Sequence, residues 1–432
     1  MNQKNFHLFE SDGPNILLAD GSRIYGISDE LESELNQIIT SGDSNELNDF
    51  LGRYGMQSTE RINDESLTDP PLTAISLAIA QKCNLGCTYC YAHQGDFGKS
   101  AKNMTTETGI EAVDLMFKNN SGNNQMNLAF LGGEPLINRQ ALQTITRYAT
   151  EKAAREIKQI HFSITTNGTL LNSDDAIFFE EFGFAVTVSI DGIGAVHDEQ
   201  RSFKGGQPSY DRIIKNTKHL LGMQKKMQVS ARVTVTPANL ELKQTLDELI
   251  CLGFHSVGFS PMLTSPSGKN EMDQTTLDTM LENMIECGTA CEEKIIEGKR
   301  YPFSNMSIAL REIHRGTHRP YPCGAGAGYL GVSASGELAA CHRFVEDDKG
   351  HFGNLKEGIN LDKQRSWLTD RHVHQQEPCN SCWARYLCGG GCHHEVIHRG
   401  RPACDYIRGW LHYTLQAYIR ILHKRPDYFS AL

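Results

Sequence analysis

Cys83-Asn84-Leu85-Gly86-Cys87-Thr88-Tyr89-Cys90 follows the apolar run Leu72 to Ala80, and the reading of this stretch decides the fold. The run reads as a buried strand. The loop after it carries three thiols at C-x3-C-x2-C spacing, with a glycine between them. Three is the informative count, because structural zinc and ordinary electron-transfer clusters use four ligands. A 4Fe–4S cube held by three thiolates keeps one iron open to a substrate or cofactor. The alternative at this point is a stray metal-binding or redox cysteine cluster.

Working outward, the chain from Leu72 to about Gly298 alternates short apolar runs with longer amphipathic stretches. The pattern predicts strands at 72–80, 125–130, 160–165, 184–189, 229–235 and 256–260. It predicts helices at 105–118, 139–158, 173–182, 210–223, 241–252 and 272–297. Six strand–helix units imply an α/β fold, a partial (βα)6 TIM-like barrel with parallel strands and right-handed crossovers. Chemistry in such barrels sits where strands end. The cysteine loop follows the first strand and Leu131-Gly132-Gly133-Glu134-Pro135 the second. Thr165-Thr166-Asn167-Gly168 follows the third, Ser189-Ile190-Asp191-Gly192 the fourth, Thr236-Pro237-Ala238-Asn239 the fifth and Pro261-Met262 the sixth. In the Gly-Gly-Glu stretch, two residues without side chains let backbone approach a ligand, and Glu134 can accept from an ammonium.

The triad and these strand-end motifs resemble those of the radical S-adenosylmethionine (SAM) enzymes. The resemblance implies that Cys83, Cys87 and Cys90 hold a 4Fe–4S cluster whose open iron chelates SAM. One electron from the reduced cluster then yields a 5′-deoxyadenosyl radical that takes hydrogen from an unactivated C–H. It further implies that Gly132, Gly133 and Glu134 contact the SAM amino group and that Tyr89 faces the adenine. Asn167 and Ser189 lie near the ribose or carboxylate, and Arg201 binds the carboxylate. Asp191 is either a polar contact to SAM or substrate, or a turn aspartate. Cys287 and Cys291, four apart on a helix, and Cys251 at the end of another, read as buried small apolar residues.

The tail is cysteine-rich. Cys323, Cys341, Cys379, Cys382, Cys388, Cys392 and Cys404 fall among Gly324-Ala325-Gly326-Ala327-Gly328 and Gly389-Gly390-Gly391. Seven thiols divide awkwardly into tetrahedral zinc sites, although Cys379-x2-Cys382 alone suits a zinc knuckle. The pattern resembles the SPASM extension of radical SAM enzymes, which holds two auxiliary 4Fe–4S clusters. By that resemblance Cys379, Cys382, Cys388 and Cys404 hold the distal cluster, and Cys323, Cys341 and Cys392 the nearer one. No fourth cysteine is evident for the nearer cluster. The total implied is three clusters and SAM. The aromatic-rich stretch 406–422 reads as a helix packing back on the domain, with Trp410 and Tyr413 in the core.

Before the barrel, apolar runs at 6–10, 15–19 and 23–27 flank the turn Asp20-Gly21-Ser22, and two short helical stripes follow. Strands followed by two helices make a winged-helix-like unit. It resembles the element fused to many peptide-maturing enzymes, where a leader peptide adds as a strand to a sheet edge. The alternative is a cap over the barrel. Residues 57–71 read as a linker. The expected division is therefore 1–71 recognition and linker, 72–300 barrel, and 301–432 auxiliary-cluster domain with its helix.

Composition narrows the partners. The 432 residues carry a net charge of −10, which argues against a broad nucleic-acid or membrane-surface footprint. The start lacks a signal-peptide run, and no apolar stretch approaches the ~20 residues that span a bilayer. Thirteen cysteines without secretory signals point to metal or redox chemistry in a cytoplasmic protein.

Three functions are weighed. The first is a maturase that cross-links a ribosomally made precursor peptide through a thioether or a C–C bond such as a cyclophane, reduced by a flavodoxin or ferredoxin. Cys341-His342-Arg343-Phe344 followed by Gly353-Asn354 resembles such enzymes. The second is an anaerobic sulfatase maturase that makes formylglycine. Those enzymes usually carry Asp straight after the cysteine matching Cys341, and Gln before Gly-Gly-Glu-Pro; this chain has His342 and Leu131. The third is a non-enzymatic metal-binding scaffold. Asp191, His342 and Asp405 are the acid or base candidates.

Overall fold

A computed structural model describes residues 5–41, 44–56 and 62–430. The chain folds as two compact units, each assembled from separated stretches. One comprises Met1–Ser66, Asp278–Cys323 and Thr369–Leu432; the other comprises Leu67–Leu277 and Gly324–Leu368.

The larger unit is an α/β unit with a parallel sheet at its heart. Its strands are β4 (Ala74–Gln81), the short β5 (Lys102–Asn103), β6 (Gln125–Gly132), β7 (Gln159–Thr166), β8 (Ala185–Ser189), β9 (Gln228–Val235) and β10 (Ser256–Pro261). Sheet order runs β10-β9-β8-β7-β6-β4, every neighbour parallel. Crossover helices are α3 (Thr106–Lys118), α4 (Arg139–Arg155), α5 (Ser173–Glu181), α7 (Tyr210–Met223) and α8 (Leu242–Cys251); the short α6 (Ala195–Gln200) precedes α7. All six predicted strands are present within two residues of their expected ends.

Local chemistry explains the elements. In β4, Ile75 and Leu77 through Ala80 are all fully buried, as expected for a central parallel strand covered on both faces. In β6, Met126, Leu128 and Phe130 alternate inward. Thr105 caps α3 by accepting from the Thr108 N–H at 3.1 Å. Asn172 and Asp175 form a reciprocal capping box on α5. Asp175 also takes a bidentate pair from Arg139 at 2.6 and 3.0 Å, which ties the start of α4 to that of α5.

The periodicity did not foresee that the sheet continues beyond β4. Strand β11 (Tyr329–Val332) pairs in parallel with β4, and β12 (Glu337–Ala339), β13 (His351–Asn354) and β14 (Gly358–Ile359) extend it antiparallel. These strands are two to four residues long, too short for a period-2 signal.

The other unit opens with the antiparallel sheet β1 (Phe6–Glu10), β2 (Pro14–Leu18), β3 (Arg23–Gly26), in that order, followed by α1 (Asp29–Ser41) and α2 (Ser44–Arg53). Phe6, Ile16 and Leu18 pack on Leu35, Ile38 and Phe50 of the two helices. Phe9 and Leu17 belong to a second cluster with Ile313, Leu411, Leu415 and Ile419. Those residues lie on α10 (Ser304–His314) and α14 (Cys404–Lys424), so residues 1–66 share a core with the tail. Helix α9 (Gln274–Ile296) joins them through a bidentate Arg420–Glu292 pair at 2.7 and 2.6 Å. The short helices α11 (Leu361–Arg371), α12 (Arg385–Cys388) and α13 (His393–Arg399) lie between α10 and α14 in sequence. Among the described residues, no helix is long and apolar enough to cross a membrane.

Candidate active site

The cysteine loop is held from two sides. Along one side runs the segment Gln200–Lys204. Thr88 N–H donates to the Gln200 carbonyl at 3.1 Å, Gly86 N–H to Ser202 at 2.9 Å, and Lys204 N–H to Asn84 at 3.2 Å. Leu85 and Phe203 form the antiparallel bridge between them. On the other side Gly95 lies against Cys83; a β-carbon there would stand 2.7 Å from the Cys83 β-carbon and backbone nitrogen. Asn167 donates to the Cys83 sulfur at 3.6 Å and to Asn84 Oδ1 at 3.0 Å. Asn270, on the loop after β10, reaches Thr88 Oγ1 at 2.9 Å.

Three thiols folded into one buried loop are poor company without a cation. Burial raises all three above the ordinary thiol range, Cys87 to about 11, and each has another cysteine of the triad raising it further. Arg201 opposes the shift at each. A cationic iron cluster would relieve the same repulsion, so the donor set fits a metal held as thiolates. Two buried donors beside this loop, Gln200 Nε2 and Arg201 Nε, have no acceptor among the described residues, which leaves them able to bond ligand oxygens.

Glu134 is fully buried and its carboxyl is raised by that burial, against three donors. Leu136 N–H and Thr166 Oγ1 bond Oε1 at 3.1 and 2.8 Å, and Asn167 N–H bonds Oε2 at 2.7 Å. A carboxylate has about four lone-pair sites, so one stays open for an ammonium. The bare backbones of the two glycines before it also let the chain approach itself. A β-carbon at Gly132 would lie 2.4 Å from the Ala80 carbonyl oxygen, and one at Gly133 would lie 2.2 Å from that of Lys82. Gly132 also has φ of +143°, a value side chains avoid.

Tyr89, Asp191 and Arg201 meet in one buried knot. The Tyr89 hydroxyl donates to Asp191 Oδ2 and accepts from Arg201 Nη1 at 2.6 Å; Arg201 Nη1 stands 3.3 Å from the same carboxylate oxygen. Thr234 N–H occupies Oδ1 at 2.8 Å, and Asn239 clamps the Asp191 carbonyl at 2.9 Å. Asp191 is fully buried with both oxygens engaged, so it is built as an anchor for Arg201 and Tyr89. Ser189, the last residue of β8, is half-buried, and its hydroxyl makes no hydrogen bond among the described residues. His197, quoted in no motif by itself, connects these parts: Asp191 N–H donates to Nδ1 at 3.1 Å, and Nε2 meets Ser209 Oγ at 3.1 Å. Nothing in the spacing distinguished it from its neighbours.

His342 lies in the larger unit, after β12. Its Nδ1 meets Tyr329 Oη at 2.8 Å, and that hydroxyl donates to Ser76 of β4 at 2.8 Å. Burial, then Arg343, lowers His342 to about 4, so it is neutral at pH 7. Gly331 makes room for the turn that presents it, since a β-carbon there would be 2.7 Å from the Cys341 carbonyl carbon. Asp405 stands exposed in the first turn of α14, paired with Arg408 at 2.5 Å. It belongs to the other unit.

The structure brings Cys379, Cys382, Cys388 and Cys404 together. Burial lifts Cys379 to about 11, and each of the other three adds to that rise. Cys323 and Cys392 belong to the same unit as these four, and Cys341 to the other. Cys287 and Cys291 are buried as expected, as are Trp410 and Tyr413. Cys251 is not: it is exposed at the end of α8, because Thr245, Leu246 and Leu249 supply that helix's inward stripe.

Comparison with known proteins agrees with this geometry. The Radical SAM superfamily profile matches residues 77–262. Over 340 residues the chain is 30% identical to a cysteine-type anaerobic sulfatase-maturating enzyme of Clostridium novyi, covering 72% of this chain and 85% of that one. It is 23% identical over 407 residues to the radical SAM cyclopropyl synthase TigE of Paramaledivibacter caminithermalis, covering 89% and 81%. In fold it matches native anSMEcpe with bound AdoMet and Cp18Cys peptide at TM-score 0.65 and 20% identity, over 82% of this chain and 99% of that one. It also matches Streptococcus suis SuiB bound to precursor peptide SuiA at TM-score 0.54 and 15% identity, over 93% and 97%. The chain belongs to the radical SAM superfamily. It is an enzyme of that class, related to peptide-modifying maturases, and membership brings a 4Fe–4S cluster and SAM.

Proposed function

We propose that this enzyme matures a ribosomally made precursor peptide by forming an intramolecular cross-link, a C–C bond of cyclophane type or a thioether. The observation that carries the reading is the outer edge of β3, which pairs with no other strand among the described residues. Ile27 N–H donates to the Pro14 carbonyl, and Tyr25 and Arg23 face Ile16 and Leu18 across the ladder. By antiparallel alternation the N–H and C=O groups of Ile24 and Gly26 turn outward, ready to pair with an extended peptide. A cavity of about 610 Å³ runs beside that edge, lined by Arg23, Ile24, Ile27, Arg315, Tyr418 and His423. SuiB, whose solved complex holds a precursor peptide, is matched over more of this chain than anSMEcpe is.

When bound on Cys83, Cys87 and Cys90, the cluster and SAM supply a 5′-deoxyadenosyl radical that removes hydrogen from a peptide carbon. Glu134 offers its open lone pair to the SAM ammonium, with Asn167 and Ser189 near the ribose or carboxylate. Arg201 Nε and Gln200 Nε2 face the carboxylate, and Tyr89 closes the adenine side. His342 is the candidate to receive the proton released as the new bond forms. Cys379, Cys382, Cys388 and Cys404, and Cys323, Cys341 and Cys392, would hold the auxiliary clusters, which would supply an acceptor for the surplus electron. A flavodoxin or ferredoxin supplies the reducing electron. Residues 1–71 form the recognition part, 72–300 the barrel and 301–432 the auxiliary-cluster part.

A second reading, formylglycine formation, is favoured by the identity to the Clostridium novyi enzyme. It is disfavoured by His342 in the place where such maturases carry a carboxylate base. The test of peptide recognition uses Gly26→Pro. Proline on an edge strand deletes only the outward N–H and leaves the inner ladder intact. A β-carbon at Gly26 meets nothing closer than Asn15 Oδ1 at 3.8 Å. The expected result is unchanged SAM cleavage with slower peptide modification, while Gly26→Ala behaves as wild type. Equal modification by all three proteins would contradict the reading.

A further inference from the structure

We infer that His197 is a positioning residue that locks the Arg201 segment to the cysteine loop and thereby sets the SAM site; the inference rests on the reading of that loop as the cluster and SAM site. His197 is fully buried at the centre of α6 and meets the site through the backbone of Asp191. Its Nδ1 accepts the Asp191 N–H at 3.1 Å, which fixes the proton on Nε2. Nε2–H then donates to Ser209 Oγ at 3.1 Å, and that hydroxyl donates to the Arg201 carbonyl at 2.6 Å. Asp198 secures the far side of this link, accepting from the Ser209 and Tyr210 N–H groups at 2.6 and 2.8 Å.

The chain of bonds joins two things that must move together. From Asp191 it holds the loop after β8, whose carboxylate grips Arg201 and Tyr89. From Arg201 it holds the backbone segment whose carbonyls at Gln200 and Ser202 receive the Thr88 and Gly86 N–H groups, on either side of Cys87. One imidazole therefore sets the distance between Arg201, with its orphaned Nε, and the thiolate loop. No other ring suits: the link needs an acceptor and a donor on opposite sides of one flat side chain, both present in a neutral histidine. Glutamine offers the same pair on a planar amide of similar reach, and leucine offers neither.

The test compares wild type, His197→Gln, His197→Leu and Ser209→Ala after anaerobic reconstitution, with SAM itself as the probe. Read-outs are iron per chain, the SAM dissociation constant by equilibrium dialysis, and the change in the reduced cluster's EPR signal on SAM addition. His197→Leu is expected to bind SAM about tenfold more weakly, the effect of breaking one buried hydrogen-bonded link. It is also expected to show a diminished SAM-induced spectral change and raised KM at lesser cost to kcat. His197→Gln should recover most of the affinity, and Ser209→Ala should weaken it severalfold. If His197→Leu binds SAM as wild type does, the inference is overturned. It is also overturned if glutamine fails as badly as leucine while both proteins fold and load iron. Should leucine prevent folding, Gln and Ser209→Ala still decide. Wild type that binds neither iron nor SAM would instead refute the site itself.

Discussion

Replacing Gly133 by alanine should damage this protein far more than replacing Gly86, although Gly86 lies within the cysteine loop and Gly133 only packs against its entry. A β-carbon on Gly133 would lie 2.2 Å from the Lys82 carbonyl oxygen, 2.5 Å from its carbon and 2.7 Å from the Gly95 α-carbon. All three neighbours are backbone, so no side chain can rotate away. The loop entry at Lys82, one residue before Cys83, must shift. Overpacking of this kind costs about 3 kcal/mol, the upper part of its usual range. At Gly86 the nearest atom is the Lys204 α-carbon at 3.5 Å, ordinary contact distance. Alanine there should change stability by less than about 1 kcal/mol, with a gain through the unfolded chain's lost freedom. The assay is anaerobic urea unfolding with iron counted on the same samples. Gly133→Ala is expected to lower the midpoint and the iron content together, and Gly86→Ala to change neither. Equal midpoints for the two variants would refute the packing argument.

Three further outcomes are expected. His197 is lowered by burial, then Arg201, to about 3, so it resists a proton that the unfolded chain accepts below about 6.5. Its contribution is therefore complete above pH 6.5 and is lost as pH falls toward 3, amounting to about 2 kcal/mol at pH 5. Wild type should lose more urea stability than His197→Gln between pH 7 and pH 5, and parallel losses would contradict this. Cys83→Ala should abolish 5′-deoxyadenosine production, whereas Cys251→Ala, at an exposed helix end, should retain it. Gly26→Pro should weaken binding of precursor peptide, read by fluorescence anisotropy, with SAM affinity unchanged.

The parallel sheet was legible because its strands are long, apolar and bounded by loops whose residue types carry chemistry. Cys83, Glu134, Asn167 and Asp191 all fall at strand ends, and the fold gathers them around one loop. Less legible was what holds them. The antiparallel run beside the cysteine loop involves Gln200, Ser202 and Lys204 through their backbones, which leave no mark on side-chain pattern. His197 looked like any histidine on a short helix. For Gly132 and Gly133 the sequence shows that a side chain is absent but not which backbone carbonyls, those of Ala80 and Lys82, lie where it would stand. The tail's cysteines announced a metal-rich region, yet β11 was invisible at four residues and with Gly331 in its middle. The shared core of Phe9 and Leu17 with Leu411 and Leu415 links residues about four hundred positions apart, beyond any local period. That core also makes deletion of the first seventy residues an unsuitable test of recognition, because it would strip the packing under α14.

The central claim is that the chain cross-links a peptide. It is tested most directly by co-expressing the chain with the short peptides encoded beside its gene and reading the product by tandem mass spectrometry. The account predicts a peptide two hydrogen atoms lighter, with an internal bridge that blocks fragmentation between two residues. An aldehyde-bearing product trapped by hydroxylamine, or an unchanged peptide while SAM is cleaved, would contradict it.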